Sequence, residues 1–265
     1  MAVRFPEDVR TRTTSGPGGY LAVPPREDAA LRLFCFHHAG AGALSYARWA
    51  ARLAPAVSVV PVRLPGRETR LAEPRVTDAA RLMRELDEEL APLLDEPYAF
   101  YGHSLGGLVA HAYALHHTGR GGTAPRLLAV GACSPPHIGT PLIDSCGTSD
   151  EDIVGFLHHT GGIHGPLAQR PDWLRLTVRV TRDDLALARS LRAAPRRPLP
   201  CPLLAIAGRD DEVVPVEAVR AWRACAGDTF RTAVLDGDHF FVRDAALPEL
   251  LRDELTGGLV PARTS

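Results

Sequence analysis

Apolar positions along the chain alternate between two periods. Short runs rich in apolar residues occur at Leu31–Phe36, Val57–Val62, Tyr98–Tyr101, Arg126–Cys133, Leu203–Ala207 and Phe230–Leu235, and each predicts a strand. Between them the spacing changes to three and four residues. Ala79, Leu82, Met83, Leu86 and Leu90 recur this way inside an expected helix Thr77–Leu94, with Thr77 as its N-cap. Further helices are expected at Ala43–Leu53, Leu105–His117, Pro215–Ala226 and Phe241–Leu255. Apolar strands separated by helices predict an α/β domain, with a parallel sheet covered on both faces.

One stretch departs from the alternation. Residues 136 to 198 hold no strand pattern. Ser149-Asp150-Glu151-Asp152 has the form of a capping box opening a helix Ile153–His158, which Gly161-Gly162 would stop. Pro171-Asp172-Trp173 opens a longer helix to Arg192, ended by Pro195. A helical insertion at this point is expected to be a lid. Residues 1–30, with Gly16-Pro17-Gly18-Gly19 and Pro24-Pro25, read as an extended or loosely ordered lead-in, and residues 256–265 as a flexible tail. The domain proper is expected over 31–255.

Composition narrows the options. The formal net charge of the 265 residues is −1, which gives no global field toward nucleic acid or an anionic membrane. All basic residues are arginine, a signature of codon usage in a GC-rich genome rather than of function. No run approaches the length of a spanning helix, and the polar first 20 residues lack a signal core. The five cysteines are scattered, and Cys35, Cys133 and Cys201 fall in or beside buried strands, as apolar fillers in a reducing compartment. A cytoplasmic monomer is expected.

The most specific local pattern is Gly102-His103-Ser104-Leu105-Gly106, between a strand and a helix. This G-x-S-x-G arrangement is a nucleophile elbow: the serine occupies a strained turn, and glycines two residues either side remove side chains that would collide. Such a serine needs a base and an orienting acid, in the order Ser, Asp or Glu, His. His239 follows the last strand and precedes the last helix, and of the eleven histidines it alone has that position late in the chain. The acid lies among Asp210, Asp211 and Glu212, after strand Leu203–Ala207. Two backbone donors are expected to form an oxyanion hole, Leu105 N–H and Ala39 N–H, the latter from the small-residue loop after the first strand. The histidine pairs (His37-His38, His116-His117, His158-His159) have no third ligand nearby in sequence, so no metal is expected.

With these residues in hand, the chain resembles the type II thioesterases, stand-alone α/β-hydrolases serving polyketide and nonribosomal peptide synthases. Phe34-Cys35-Phe36-His37-His38-Ala39-Gly40 resembles the family's F-x-F-P-H-A-G loop, with His37 in place of proline. Arg63-Leu64-Pro65-Gly66-Arg67-Glu68, Arg70 and Glu73-Pro74 resemble its L-P-G-R segment, and Arg182-Asp183-Asp184 an R-x-D in the lid. Pro202 through Asp211 and Gly237-Asp238-His239-Phe240-Phe241 resemble its acid and histidine loops. The resemblance implies an α/β-hydrolase fold, with the acid at Asp211 and Asp210 next in order. It implies hydrolysis of acyl groups from the phosphopantetheine arm of an acyl or peptidyl carrier protein, without a cofactor. His38, His103 and Phe240 flank the machinery and are the expected substrate contacts. Arg63, Arg67, Arg70 and Arg75 either steer docking of an acidic carrier protein or meet the phosphate of its arm, or else belong to a solvated or internally paired loop. Two other classes stay open: another serine hydrolase (a carboxylesterase or a product-releasing thioesterase), and a non-catalytic partner of a synthase. A chain that opens at Met1 with no carrier domain favours the discrete enzyme.

Overall fold

A computed structural model describes residues 19–163, 170–193 and 197–257. Six strands form one parallel sheet: β1 (Leu31–Phe36), β2 (Val57–Val62), β3 (Tyr98–His103), β4 (Leu128–Gly131), β5 (Leu203–Gly208) and β6 (Phe230–Leu235), in the spatial order β2-β1-β3-β4-β5-β6. The chain leaves β1 toward β2 on one side and returns to β3 on the other. The carboxyl ends of β1 and β3 therefore flank the point where strand order reverses, the place where open α/β sheets bind ligands.

Strand alternation divides the core in two. From β1, Phe34 and Phe36 point into one layer, while Leu31, Leu33 and Cys35 point into the other. The first layer is closed by α2 (Ala79–Leu90) and α3 (Leu105–Gly119). The second is closed by α1 (Trp49–Leu53) and α8 (Ala246–Thr256). Cys35, Cys133 and Cys201 are buried free thiols, and desolvation pushes Cys201 up to about 12.

Several helix boundaries differ from the sequence expectation. Ala43–Leu53 is not one helix: a 3-10 turn, Ala43–Tyr46, precedes α1. The break lets Tyr46 and Trp49 both pack on Tyr101 (ring centroids 6.1 and 5.1 Å), and Tyr46 donates to Phe36 O at 2.7 Å. The N-cap of α2 is Asp78, not Thr77, because Asp78 Oδ1 accepts from Arg81 N at 2.7 Å. That helix stops at Leu90, where Ala91-Pro92-Leu93 tightens into a 3-10 turn. Pro215 caps α7 (Val216–Arg220) from outside, and Ala221–Cys225 is 3-10; Phe241–Arg243 is likewise a 3-10 turn before α8.

Between β4 and β5 lie α4 (Pro141–Ser145), α5 (Asp150–His159) and α6 (Pro171–Leu191), of which the sequence pattern missed α4. The capping box of α5 forms, with Ser149 and Asp152 as its two members. Pro195, residues 1–18 of the lead-in and residues 258–265 of the tail lie outside the described residues. From the rest of the lead-in, Tyr20 and Leu21 are buried, and Leu21 bridges antiparallel to Val62.

His111 on α3 packs edge-on to Trp222 (centroids 5.1 Å), and neither ring nitrogen has a partner among the described residues. Desolvation pushes its pKa down to about 4. The unfolded chain therefore binds the proton more readily, and this contribution to stability is lost as pH falls below about 6.5. Replacing His111 with phenylalanine is expected to stabilise the fold by about 1–3 kcal/mol. The gain should be larger at about pH 5 than at about pH 8, as read from urea midpoints at the two values.

Candidate active site

At the end of β3 the backbone turns sharply into α3. Ser104 sits in the turn with φ 53° and ψ −116°, a conformation an L-residue holds only when its surroundings impose it. The two elbow glycines explain how the turn closes. A Cβ on Gly102 would lie 2.0 Å from Gly106 O, and one on Gly106 would lie 2.0 Å from Phe36 O. Ser104 N donates to Gly131 O at 2.8 Å, which anchors the turn to β4.

Two distant loops meet the serine. His239 Nε2 lies 3.2 Å from Ser104 Oγ, and His239 Nδ1 lies 2.9 Å from Asp211 Oδ2 and 3.1 Å from Oδ1. Asp211 Oδ1 also accepts from Val213 N and Val214 N, both at 2.9 Å. A carboxylate held by two backbone donors accepts the Nδ1 proton, which leaves Nε2 free to accept from the serine hydroxyl. Ser104, Asp211 and His239 are each at most 8% exposed. Asp210 and Glu212 are exposed, and Asp210 takes no part in this line.

A second chain of hydrogen bonds stands behind the imidazole. His103 Nε2 is 2.7 Å from His239 O, and Tyr101 Oη is 2.7 Å from His103 Nδ1. The carbonyl requires a proton on His103 Nε2, so Tyr101 donates to Nδ1. Burial pushes the His103 pKa down to about 3, which keeps this ring neutral. His103 is fully buried and is not part of the cavity wall, so its expected place among the substrate contacts is corrected. It supports His239 from behind.

Ser104 and His239 open onto a cavity of about 180 Å³. His38, Ala39, Leu105 and Phe240 share its wall, which continues through Ile143, Phe156, Leu157 and Leu185 of the helical insertion. Leu105 is the first residue of α3, so its N–H has no acceptor within the helix. Ala39, from the loop after β1, lines the same cavity, and the carbonyls of Phe36 at the end of β1 and of His37 abut Gly106.

That loop is tied down by a contact the sequence reading did not foresee. Asp184 on α6 receives a two-pronged bond from Arg67, Nη2 to Oδ1 at 2.8 Å and Nη1 to Oδ2 at 2.9 Å. The same Oδ2 accepts from Gly40 N at 2.8 Å, and Arg67 Nη1 also donates to Ala41 O at 2.8 Å. Both ionic side chains are at most 7% exposed. The remaining arginines of the group are also committed: Arg70 to Glu73, Arg75 to Asp183, and Arg63 to Gly19 O. Of the two readings of this group, internal pairing is the one observed. The only prior signal was that the L-P-G-R and R-x-D segments both stood out in sequence.

A family profile described as Thioesterase domain matches residues 31–254. Among relatives, the protein named linear gramicidin dehydrogenase LgrE, from Brevibacillus parabrevis, is 32% identical over 235 residues, covering 87% of this chain and 89% of that one. Among solved structures, the RedJ thioesterase from the prodiginine pathway in Streptomyces coelicolor is 31% identical with a TM-score of 0.77, covering 93% of this chain and 96% of that one. The type II thioesterase BorB from the borrelidin biosynthetic cluster is 29% identical with a TM-score of 0.78, covering 92% and 99%. The fold is that of an α/β-hydrolase, and the chain belongs to the thioesterase domain family.

Proposed function

We propose that this chain is a type II thioesterase that removes acyl groups from the phosphopantetheine arm of acyl or peptidyl carrier proteins in polyketide or nonribosomal peptide synthesis. The observation that carries the reading is the buried line from Ser104 through His239 to Asp211, 3.2 and 2.9 Å, at the wall of a cavity. His239 Nε2 takes the Ser104 proton as Oγ attacks the thioester carbonyl. Asp211 fixes the imidazole tautomer and stabilises the imidazolium. The N–H groups of Ala39 and Leu105 receive the oxyanion. Collapse expels the pantetheine thiol, and His239 then activates water to release the acyl group from Ser104. Helices α4 to α6 form the lid over this cavity. No helix among the described residues is long and apolar enough to cross a membrane.

The relative named as a dehydrogenase does not extend its activity to this chain. The loop after β1 carries Gly40-Ala41-Gly42, but it leads into the four-residue 3-10 turn Ala43–Tyr46. That turn offers no long helix N-terminus for a dinucleotide pyrophosphate.

The test is a hydrolysis panel of carrier proteins loaded with acyl chains of varied length, run beside matched oxygen esters. Thioester turnover well above ester turnover is expected; the reverse order would identify a carboxylesterase. Asp211→Asn is expected to lower kcat by about 10⁴-fold through the wrong tautomer. Asp210→Asn is expected to change it by less than about threefold, since that side chain is solvated. The opposite ranking in steady-state assays would move the acid by one residue.

A further inference from the structure

Two arginines line the cavity, and they differ in how their charge is met. Arg192 pairs with Asp144. Among the described residues the Arg243 guanidinium has no carboxylate oxygen within 4.0 Å and no hydrogen-bond acceptor; only the backbone N–H is paired, to Phe240 O at 3.0 Å. The nearest acids, Asp238 and Asp244, stand off; Asp238 Oδ1 is engaged by Phe240 N at 2.7 Å. The histidines around it supply no negative charge, and burial holds His38 and His103 well below the usual imidazole range.

The side chain is exposed at the rim, and its guanidinium stacks on one ring. The guanidinium carbon sits 4.3 Å above the centre of the Phe240 ring, whose centre is 5.4 Å from that of His239, so the cation lies no farther than about 10 Å from the imidazole centre. Phe240 itself is held edge-on by His38, at 5.2 Å. Packing against the cavity wall lowers the Arg243 pKa from the ordinary arginine value without discharging it. A permanently charged fork of five donors, stacked on an aromatic face and lacking a protein acceptor, is built to receive an anionic oxygen group.

We propose that Arg243 forms an anion subsite at the cavity rim that binds a carboxylate or phosphate carried by the thioester substrate. This rests on the thioesterase reading above. Two groups on such a substrate have the required chemistry: the far carboxylate of a short dicarboxylic acyl chain, and the phosphate of the pantetheine arm. The separation from His239 favours the carboxylate, because an extended arm carries its phosphate well beyond that reach.

Two substrate pairs separate these sources. The first compares malonyl with propionyl thioesters of N-acetylcysteamine. The second compares propionyl-phosphopantetheine with propionyl-pantetheine. In the wild type the anionic member is expected to have the higher kcat/KM in at least one pair. Arg243→Met should reduce that ratio by about tenfold to a hundredfold, mostly through KM, and Arg243→Lys should keep part of it. A ratio lost in the first pair assigns the acyl carboxylate; one lost in the second assigns the arm phosphate. Unchanged ratios in both pairs overturn the subsite, as do equal losses for charged and neutral members. Ser104-dependent turnover of the neutral propionyl thioester tests the underlying reading separately: its absence removes the proposed function, whereas its presence with unchanged ratios removes only the subsite.

Discussion

Replacing Ser104 with alanine is expected to lower kcat/KM for acyl thioesters by about 10⁵- to 10⁶-fold, while the unfolding transition moves by no more than about 4 °C. The two halves of that expectation come from the same geometry. Among the described residues Ser104 Oγ has one partner, His239 Nε2 at 3.2 Å, so its loss removes one hydrogen bond, about 1 kcal/mol. The strained backbone at φ 53° is unaffected, since alanine and serine bear the same Cβ. The chemical step, by contrast, loses the only hydroxyl in the Ser104–His239–Asp211 line. The three act as a unit, so His239→Ala should be about as damaging, and combining it with Ser104→Ala should add little. Initial rates on a loaded carrier protein, together with a thermal melt, check both halves. Turnover by Ser104→Ala within tenfold of wild type would remove the nucleophile from this position.

The strands and the elbow were legible because their causes are local. A strand buried on both faces is largely apolar, and the runs of β1 to β5 show this, whereas the edge strand β6 carries exposed Arg231 and Thr232 and was legible only from the apolar residues around them. Gly102 and Gly106 flag their turn because a Cβ at either would strike backbone within a few residues or on the next loop. Helix ends were less legible. Thr77 and Asp78 are both good caps by type, and only the Asp78 bond to Arg81 N decides between them. The break inside Ala43–Leu53 depends on Tyr101, more than fifty residues away, as the surface that Tyr46 and Trp49 must both reach. Asp211 separates from Asp210 only through the turn that aims Val213 N and Val214 N at its carboxylate. The pairing of Arg67 with Asp184 spans 117 positions of sequence, and no periodicity or spacing can report it.

That pair carries the largest expected effect on stability. Asp184→Ala would leave the Arg67 guanidinium buried without its carboxylate and would free Gly40 N. Removing one partner of a buried ion pair typically costs about 3–5 kcal/mol, because the remaining charge stays desolvated. Domains have only about 5–15 kcal/mol in hand, so the melting temperature is expected to fall by about 10 °C. Activity should fall as well. Gly40 follows Ala39 directly, and once its N–H is released the α6 helix no longer fixes the loop that presents the Ala39 donor. The double variant Arg67→Met with Asp184→Leu separates the two consequences. An apolar pair of similar volume removes the stranded charge, so most of the lost stability should return. The hydrogen bonds to Gly40 N and Ala41 O do not return, so kcat should stay depressed while KM stays near its wild-type value. Recovery of stability and kcat together would show that the pair only fills space. An unaltered melting temperature in Asp184→Ala would show that Arg67 finds water in solution. Stability regained without kcat is the outcome that makes the Arg67–Asp184 contact a positioning device, linking α6, the proposed lid helix, to the loop proposed to present the Ala39 donor.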